Sequence, residues 1–327
     1  MSVDLSIIIV NWNTRDLLAN CLASLEAACP GLSFEILVVD NASSDGSAEM
    51  IAEAANDLPT CRLMESGGNL GFTRANNLAL EQTSGDFILL LNPDTVCPPG
   101  SLTRLVEFAS IKSSLGAVGP LLVDEQGLPT ITYGYFPSAH FHWLGFLDPL
   151  RLLPGRWFQN RVVHIPARTE TSDRVDYVLG ACFLMPRSAL ESVGKLDEQF
   201  FMYFEETDWC HRARRRGLDI WYCAEVEITH LEGRSAEKAG RFTTRQFQKS
   251  YRLFIGKHYG PGQIPGFRLA QAAEYGLKAL FRLVAPGDRR RNLALARTYR
   301  ERFRLQFQGQ IQAVPPDLTS DVENRRG

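Results

Sequence analysis

Three carboxylates, Glu205, Glu206 and Asp208, stand within four residues, directly behind the apolar run Phe200-Phe201-Met202-Tyr203-Phe204. An apolar run heads for the interior. Acids at its end mark either a helix start, where negative side chains suit the dipole, or an acid cluster at the mouth of a pocket. Crowded carboxylates in a partly dry site repel each other, which pushes one of them toward a pKa suited to proton abstraction. Asp94 follows the apolar run Phe87–Leu91 in the sequence Asn92-Pro93-Asp94. A carboxylate just past a buried strand can hold Mg²⁺ or Mn²⁺ against a diphosphate. One carboxylate makes a thin metal site, and His230, at the end of a short β pattern, is either its companion ligand or a structural histidine.

Two further stretches fit a phosphorylated nucleoside. Asp40 closes the apolar run Phe34–Val39 and opens the loop Asp40-Asn41-Ala42-Ser43-Ser44-Asp45-Gly46-Ser47. It is either a turn residue or an acceptor for a base N–H or ribose hydroxyl. The stretch Gly67-Gly68-Asn69-Leu70-Gly71-Phe72-Thr73-Arg74 is either a plain glycine turn or a place where a phosphate approaches backbone N–H groups, with Arg74 adding charge. The fingerprint G-x-G-x-x-G is absent after the first strand, where the sequence reads Val10-Asn11-Trp12-Asn13, and no Walker A loop occurs.

The elements that must position these residues alternate. Leu5–Val10 is a continuous β-branched apolar run, as in a strand buried on both faces. A helix follows with Leu17, Leu18, Cys21, Leu22 and Leu25 on one side. Strands are expected at Phe34–Val39, Cys61–Met64 and Phe87–Leu91, with helices from about Ala48 and through Ala75–Leu80. This βαβ alternation predicts an α/β fold with a mostly parallel central sheet flanked by helices. Ligands of such sheets collect at the carboxyl ends of the strands, where Asn11, Asn13, Asp40, Asn92 and Asp94 all lie. Residues 133–170 carry many aromatics, prolines and arginines without a period and read as an irregular insertion or lid. Val175–Met185 reads as one strand, Glu205–Arg216 as a helix stopped by Gly217, and Ile220–Tyr222 and Val226–Thr229 as two short strands. Arg241–His258 and Ile264–Val284 read as helices, the second amphipathic, and the tail from Pro315 as disordered.

The chain has 327 residues, 45% of them hydrophobic, and a formal net charge of -2, so no global charge draws it to nucleic acid. Its seven cysteines are scattered and odd in number, without a C-x-x-C, which points to free thiols in a reducing, cytoplasmic compartment rather than zinc or disulfides. No signal-peptide pattern and no membrane-length apolar run occur. From Arg268 to Arg304 the basic residues outnumber the acids Glu274, Asp288 and Glu301. A basic amphipathic segment over residues 264–304 either lies on the anionic inner face of a cell membrane or packs on the domain with a solvated basic face. The arginines at 289–304 belong to no recognisable nucleic-acid reading module, so no nucleic-acid partner is expected.

Taken in order, Ser6–Asn13, Val38–Ser47, Gly68-Asn69-Leu70-Gly71-Phe72, Leu91-Asn92-Pro93-Asp94, Gly180-Ala181-Cys182-Phe183, Phe204–Cys210 and His230-x-x-Gly233-x-Ser235 resemble glycosyltransferase family 2, with its GT-A fold. The nearest branch looks like the bacterial rhamnosyltransferase-like enzymes of cell-surface polysaccharide synthesis, and the resemblance covers about residues 4–260. It implies a domain over 1–260, with a nucleotide-sugar half at 1–120 and an acceptor and catalytic half at 121–260. A basic helical extension at 261–312 and a tail at 313–327 would follow. It implies an inverting transfer from a nucleoside-diphosphate sugar, dTDP-rhamnose by that branch with UDP- and GDP-sugars left open, to a saccharide or lipid-linked acceptor, with a divalent metal, Mg²⁺ or Mn²⁺. Asp40 and Asn11 would meet the nucleotide, with Asn13, Asn69, Gly71, Arg74 and Asn92 around it. Asp94 and His230 would hold the metal. The base would be Glu205, Glu206 or Asp208, with Glu206 preferred by its place in the motif. Asn92 stands where the family's D-x-D motif begins with aspartate, and Glu205-Glu206 stands for the usual Glu-Asp pair. A nucleotidyltransferase would need a glycine- and lysine-rich loop after the first strand, and a non-catalytic sugar-binding module would not need the acid cluster.

Overall fold

The computed structural model describes residues 3–57, 60–137, 164–231, 240–286, 288–309 and 311. Contacts divide the chain into two units, one within residues 1–136 and 163–238, the other within 137–162 and 239–327. The helix Gly240–Tyr259 therefore groups with the C-terminal helices, whereas the expected boundary lies near residue 260.

The first unit is built on a nine-stranded sheet. Its strands are β1 (Leu5–Asn11), β2 (Phe34–Asp40), β3 (Cys61–Glu65), β4 (Phe87–Leu91), β5 (Thr95–Val96) and β6 (Leu115–Val123), then β8 (Asp173–Val175), β10 (Cys182–Pro186) and β11 (Asp219–His230). A separate two-stranded ribbon pairs β7 (Tyr133–Gly134) with β9 (Tyr177–Val178). The main order is β3-β2-β1-β4-β10-β6-β11-β5, with β8 on β11. The strands β3, β2, β1 and β4 run parallel, and β6 is parallel to β11. The inserted β10 is antiparallel to both β4 and β6.

The alternation of side chains explains why β1 is apolar throughout. Leu5, Ile7 and Ile9 pack with Leu18, Leu22 and Leu25 of α1 (Arg15–Ala28), while Ile8 and Val10 face the opposite layer, with Ala75 and Ala79 of α3 (Gly71–Leu80). Both faces of the strand are covered, so no polar alternation survives. The helices α2 (Ser47–Asp57), α4 (Ser101–Ser110), α5 (Arg187–Val193) and α6 (Glu205–Arg214) complete the two flanking layers. From β1 the chain winds outward through β2 and β3, then returns to place β4 on the other side of β1. The reversal at β1/β4 is the switch point where such sheets leave a crevice.

Two strand expectations change. Val175–Met185 is three short strands, because the chain turns at Asp176 and at Gly180 as it passes between the ribbon and the sheet. The two strands expected at Ile220–Tyr222 and Val226–Thr229 form the single strand β11, whose register slips between Cys223 and Glu227. Of the expected lid at 133–170, residues 138–163 lie outside the described residues, as does the expected disordered tail. The ends of that segment are joined at its base: Thr132 N–H donates to His164 O at 3.0 Å, and His164 N–H to Tyr133 O at 2.6 Å. All seven cysteines are free and buried, which agrees with inert packing thiols.

The second unit contains α7 (Gly240–Tyr259), α8 (Ile264–Val284) and α9 (Arg289–Leu305). Here the amphipathic helix α8 is turned the other way from a helix that buries its apolar stripe. Leu269, Leu277, Leu280, Phe281 and Val284 are exposed, while Phe267, Gln271 and Tyr275 are buried. The cations of α8 face its helical neighbours instead. Arg268 donates to the carbonyls of Gln306 and Gln308, Arg282 to Asn292 Oδ1 at 3.3 Å, and Lys278 pairs with Glu274 and lies over the Tyr299 ring. Free carbonyls at the end of α9 and the stacked Tyr275–Tyr299 pair supply partners that cations accept and leucines cannot use. Among the described residues no helix is long and apolar enough to cross a membrane.

Candidate functional site

The parallel register sets the site. Asn11 ends β1 opposite Asp40 at the end of β2, and Ile9 pairs with Leu91 at the end of β4. Asn11 Nδ2 donates to Asp40 Oδ1 at 3.1 Å and to Ser43 Oγ at 3.0 Å, and Ser43 N–H returns to Asp40 Oδ2 at 2.9 Å. Asn13, in the left-handed conformation with φ 55°, accepts from Ser44 N–H at 2.7 Å. The strand ends thus hold Asn11, Asn13 and Asp40 together in one rigid polar knot, with Asp40 buried beneath it.

The glycine stretch has a different use from the one expected. The N–H of Leu70 goes to Asn41 Oδ1, that of Gly71 to Asn69 Oδ1, and that of Phe72 to the Phe201 carbonyl at 2.8 Å. The donors a phosphate would meet at the start of α3 are therefore committed inside the protein. Gly71 has φ +79°, and a Cβ there would lie 2.5 Å from Phe201 O. The glycine lets the 200–204 loop dock on α3, and so carries the acid cluster to the sheet. Arg74 lies on the exposed side of α3, 3.4 Å from Glu198.

The acids follow from that docking. Tyr203 and Phe204 both have φ 69°, a left-handed conformation that a bulky side chain adopts only under constraint. Asn13 and Ala42 are the other non-glycine residues of this kind among the described residues, and they lie at the ends of β1 and β2. Strain is thus concentrated around the carboxyl edge of the sheet. The twist at Tyr203-Phe204 starts α6 at Glu205. Glu205 is 5% exposed, and its Oε2 has no hydrogen-bond partner. Burial, and then the charge of Glu206, push its carboxyl well above the usual range. Glu206 is less covered as a residue, yet its own Oε2 is buried and unpartnered. Burial pushes its carboxyl up to about 7, against the opposing pull of the N–H groups at the helix start. Asp208 is fully buried and bonded to Arg212 Nε at 2.9 Å, and Arg212 also donates to the carbonyls of Val193 and Lys195. The structure separates the three: two crowded, protonation-prone glutamates and one charge-paired aspartate.

A chain of contacts joins Glu206 to the strand ends. The side chain of Glu206 packs over Gly180, where an added Cβ would sit 3.8 Å from its Cγ. The next residue, Ala181, accepts from Asn92 N–H at 2.9 Å, and Cys182 pairs with Leu91. Two residues beyond Asn92, Asp94 Oδ1 lies 3.3 Å from His230 Nε2, and Leu231 N–H donates to the Asp94 carbonyl. Strand β11 carries His230 here by pairing it with Thr95. Asp94 and His230 are each 7% exposed, and Asp94 Oδ1 accepts no hydrogen bond although it is buried. A buried carboxylate oxygen facing an imidazole nitrogen suits a divalent cation. Among the described residues no group of three His, Cys, Asp or Glu side chains stands together. Gly180, Phe201, Arg212 and Tyr177, whose phenol is held above its usual range by burial and by Glu206, belong to this site and were not singled out in the sequence. Gly180 left a trace there as part of a matched motif, and Phe201 as part of the apolar run before the acids.

The family model described as glycosyl transferase family 2 matches residues 6–194. The chain is 29% identical over 277 residues to the N-acetylglucosaminyl-diphospho-decaprenol L-rhamnosyltransferase of Mycobacterium tuberculosis, covering 80% of this chain and 87% of that protein. It is 26% identical over 256 residues to the low-salt glycan biosynthesis hexosyltransferase of Haloferax volcanii, covering 77% of this chain and 72% of the relative. Among solved structures it resembles the mannosyltransferase from Pyrobaculum calidifontis in complex with GDP-Man and Mn²⁺. The TM-score is 0.55 at 14% identity, covering 94% of this chain and 84% of the other. That likeness concerns the GT-A fold.

Proposed function

The chain belongs to glycosyltransferase family 2, and we propose that it transfers a hexose, with inversion, from a nucleoside-diphosphate donor to a hydroxyl of a lipid-linked saccharide in cell-surface polysaccharide synthesis. The observation that carries this is the placement of Glu206: a carboxylate poised near neutrality, over Gly180, one contact chain away from the Asp94–His230 pair. The relatives supply the acceptor class. One is named for a decaprenol-linked substrate, and others are undecaprenyl-phosphate 4-deoxy-4-formamido-L-arabinose transferases, such as that of Serratia proteamaculans at 34% identity over 124 residues, 37% of each chain. The rhamnosyltransferase relative makes dTDP-rhamnose the first donor to try.

In this reading Asp40 and Asn11, with Asn13 beside them, receive the nucleoside at the ends of β1 and β2. Asn92 and Asp94 follow at the end of β4, where the diphosphate lies. Asp94 and His230 hold a divalent cation, Mg²⁺ or Mn²⁺. When bound, that cation stabilises the charge on the departing nucleoside diphosphate. Glu206 takes the proton from the acceptor hydroxyl as its oxygen attacks the anomeric carbon and the bond to the diphosphate breaks. Glu205 stays protonated beside it, so that Glu206 alone carries the negative charge of the pair. Asn69 and Gly71 act through the docked 200–204 loop, and Arg74 through Glu198, rather than by cradling phosphate. Asp208 is a positioning residue that fixes α6 through Arg212. Asp208→Asn leaves a guanidinium buried without its counter-charge and lowers stability by about 3 kcal/mol in urea unfolding. The folded fraction keeps the wild-type pH profile, and a shifted profile would return Asp208 to the chemistry. Residues 264–304 meet an anionic membrane surface on the cytoplasmic side.

The test is a panel of dTDP-, UDP- and GDP-sugars read by thermal stabilisation and donor hydrolysis, with and without Mn²⁺ or Mg²⁺. One nucleotide class stabilises the protein, and does so only with metal. Silence toward every nucleotide in the presence of metal would shift the reading to a degenerate binding module.

A further inference from the structure

The second unit carries a surface that the transfer chemistry does not use. The last turn of α8 exposes Leu280 (63%), Phe281 (59%), Leu283 (60%) and Val284 (81%). At 100° per residue these four span about 160° of the helix circumference. The end of α8 is therefore bare around much of its girth, beyond the single stripe formed with Leu269 and Leu277. α9 then starts with Arg289 and Arg290, both exposed. Leu293 is 40% exposed, and Arg297, Arg300 and Arg304 are exposed one or two turns apart along the same side of α9 as Arg289. Glu301, one turn beyond Arg297 at the edge of that row, lies 3.8 Å from Arg245. The hairpin therefore has an apolar tip, a cationic collar one turn away in sequence, and a row of arginines leading from it.

From this we infer that the tip of the α8–α9 hairpin inserts into an anionic lipid bilayer, Leu280, Phe281, Leu283 and Val284 entering the acyl boundary while Arg289 and Arg290 engage lipid phosphates. The inference deepens the membrane-surface part of the proposed function and rests on it. Charge complementarity chooses the occupant. A second copy of this chain would bring the same arginine row against itself, and like charges facing each other at an interface disfavour it. A bilayer of anionic lipid accepts both halves at once, apolar area below and cations at the headgroups. The inward turn of Arg268, Lys278 and Arg282 fits the same arrangement, because it keeps cations off the inserting stripe and leaves the headgroup contacts to α9. With no helix apolar enough to span a membrane among the described residues, the contact is a shallow one on one leaflet.

The experiment is co-sedimentation of the full-length chain with vesicles of phosphatidylglycerol and phosphatidylcholine, and with phosphatidylcholine alone. Each protein is also assayed for thermal stabilisation by the donor nucleotide with metal. Wild type partitions onto the anionic vesicles, at least tenfold more than onto neutral ones, and salt reduces the binding. The double variant Leu280→Glu, Phe281→Glu loses at least tenfold on both. The double variant Arg289→Glu, Arg290→Glu loses at least fivefold per residue on anionic vesicles and little on neutral ones. All three keep the same melting temperature and the same nucleotide response. Absence of wild-type binding, equal binding by the variants, or a dimer that Leu280→Glu, Phe281→Glu dissolves without any vesicle binding would each overturn the inference. Vesicle binding without a nucleotide response would instead sink the transferase reading and leave the membrane tip standing.

Discussion

Glu206→Gln lowers the rate of sugar transfer by about 10²–10⁴-fold, the usual contribution of a positioned general base, and leaves donor affinity within about twofold. The substitution keeps the size and shape of the side chain over Gly180 and removes only the ability to accept a proton. The two effects separate because the donor is held at the ends of β1, β2 and β4, whereas Glu206 rides on α6. Donor affinity is read by thermal stabilisation with metal, and transfer by product formation at saturating acceptor. A variant that transfers at the wild-type rate removes Glu206 from the role.

The pH dependence carries the same signature. With its carboxyl pushed up to about 7, Glu206 already holds a proton below that pH and cannot take another. Wild-type kcat/KM therefore rises with pH through about 7 and levels off above it, and Glu206→Gln flattens that limb at a low residual rate. Stability runs the opposite way. The folded state binds this proton more tightly than the unfolded chain, whose carboxyl titrates near 4.5, so the contribution of Glu206 to stability is full at low pH and is lost as the pH rises toward 7. The loss is on the order of 3 kcal/mol for a shift of this size. Glu206→Gln escapes its part of it and melts at a higher temperature than wild type at pH 8. Glu205 moves as well, since the Glu206 charge is one of the two causes that raise it.

The parallel half of the sheet was legible because both faces of β1, β2 and β4 are covered, which leaves continuous apolar runs ending at polar clusters. Asn11, Asp40 and Asp94 could be placed at strand ends for that reason alone. What the sequence hid depends on long-range contacts. Nothing local announces that Tyr203 and Phe204 adopt a left-handed backbone, because neither is glycine; the conformation is imposed by the docking of Phe201 on Gly71. The distinction among Glu205, Glu206 and Asp208 was likewise out of reach, since it rests on Arg212 four residues on and on Gly180 from another segment. Helix α8 was read correctly as an amphipathic helix, but periodicity says which residues share a face and not which face is buried. There the carbonyls and Tyr299 of α9 decided for the cations.

Asp94→Ala abolishes the metal-dependent part of donor binding and lowers transfer by roughly 10²–10³-fold, the loss of a few kcal/mol of charge stabilisation at the departing diphosphate. The readout that isolates this from folding is the melting temperature. Without nucleotide the variant stays close to wild type, because the local backbone is held by the Asn92–Ala181 and Leu231–Asp94 main-chain bonds, which the substitution leaves in place. With nucleotide and Mn²⁺ the wild-type stabilisation disappears. His230→Ala produces a smaller form of the same defect, and the double variant is no worse than Asp94→Ala alone, because two groups 3.3 Å apart that serve one cation are coupled and their effects do not add. Additive losses would mean that Asp94 and His230 act on different parts of the donor. A variant Asp94→Ala that still needs Mn²⁺ for stabilisation by nucleotide would place the cation elsewhere. The buried, unbonded Asp94 Oδ1 would then have to be explained as an ordinary structural partner of His230.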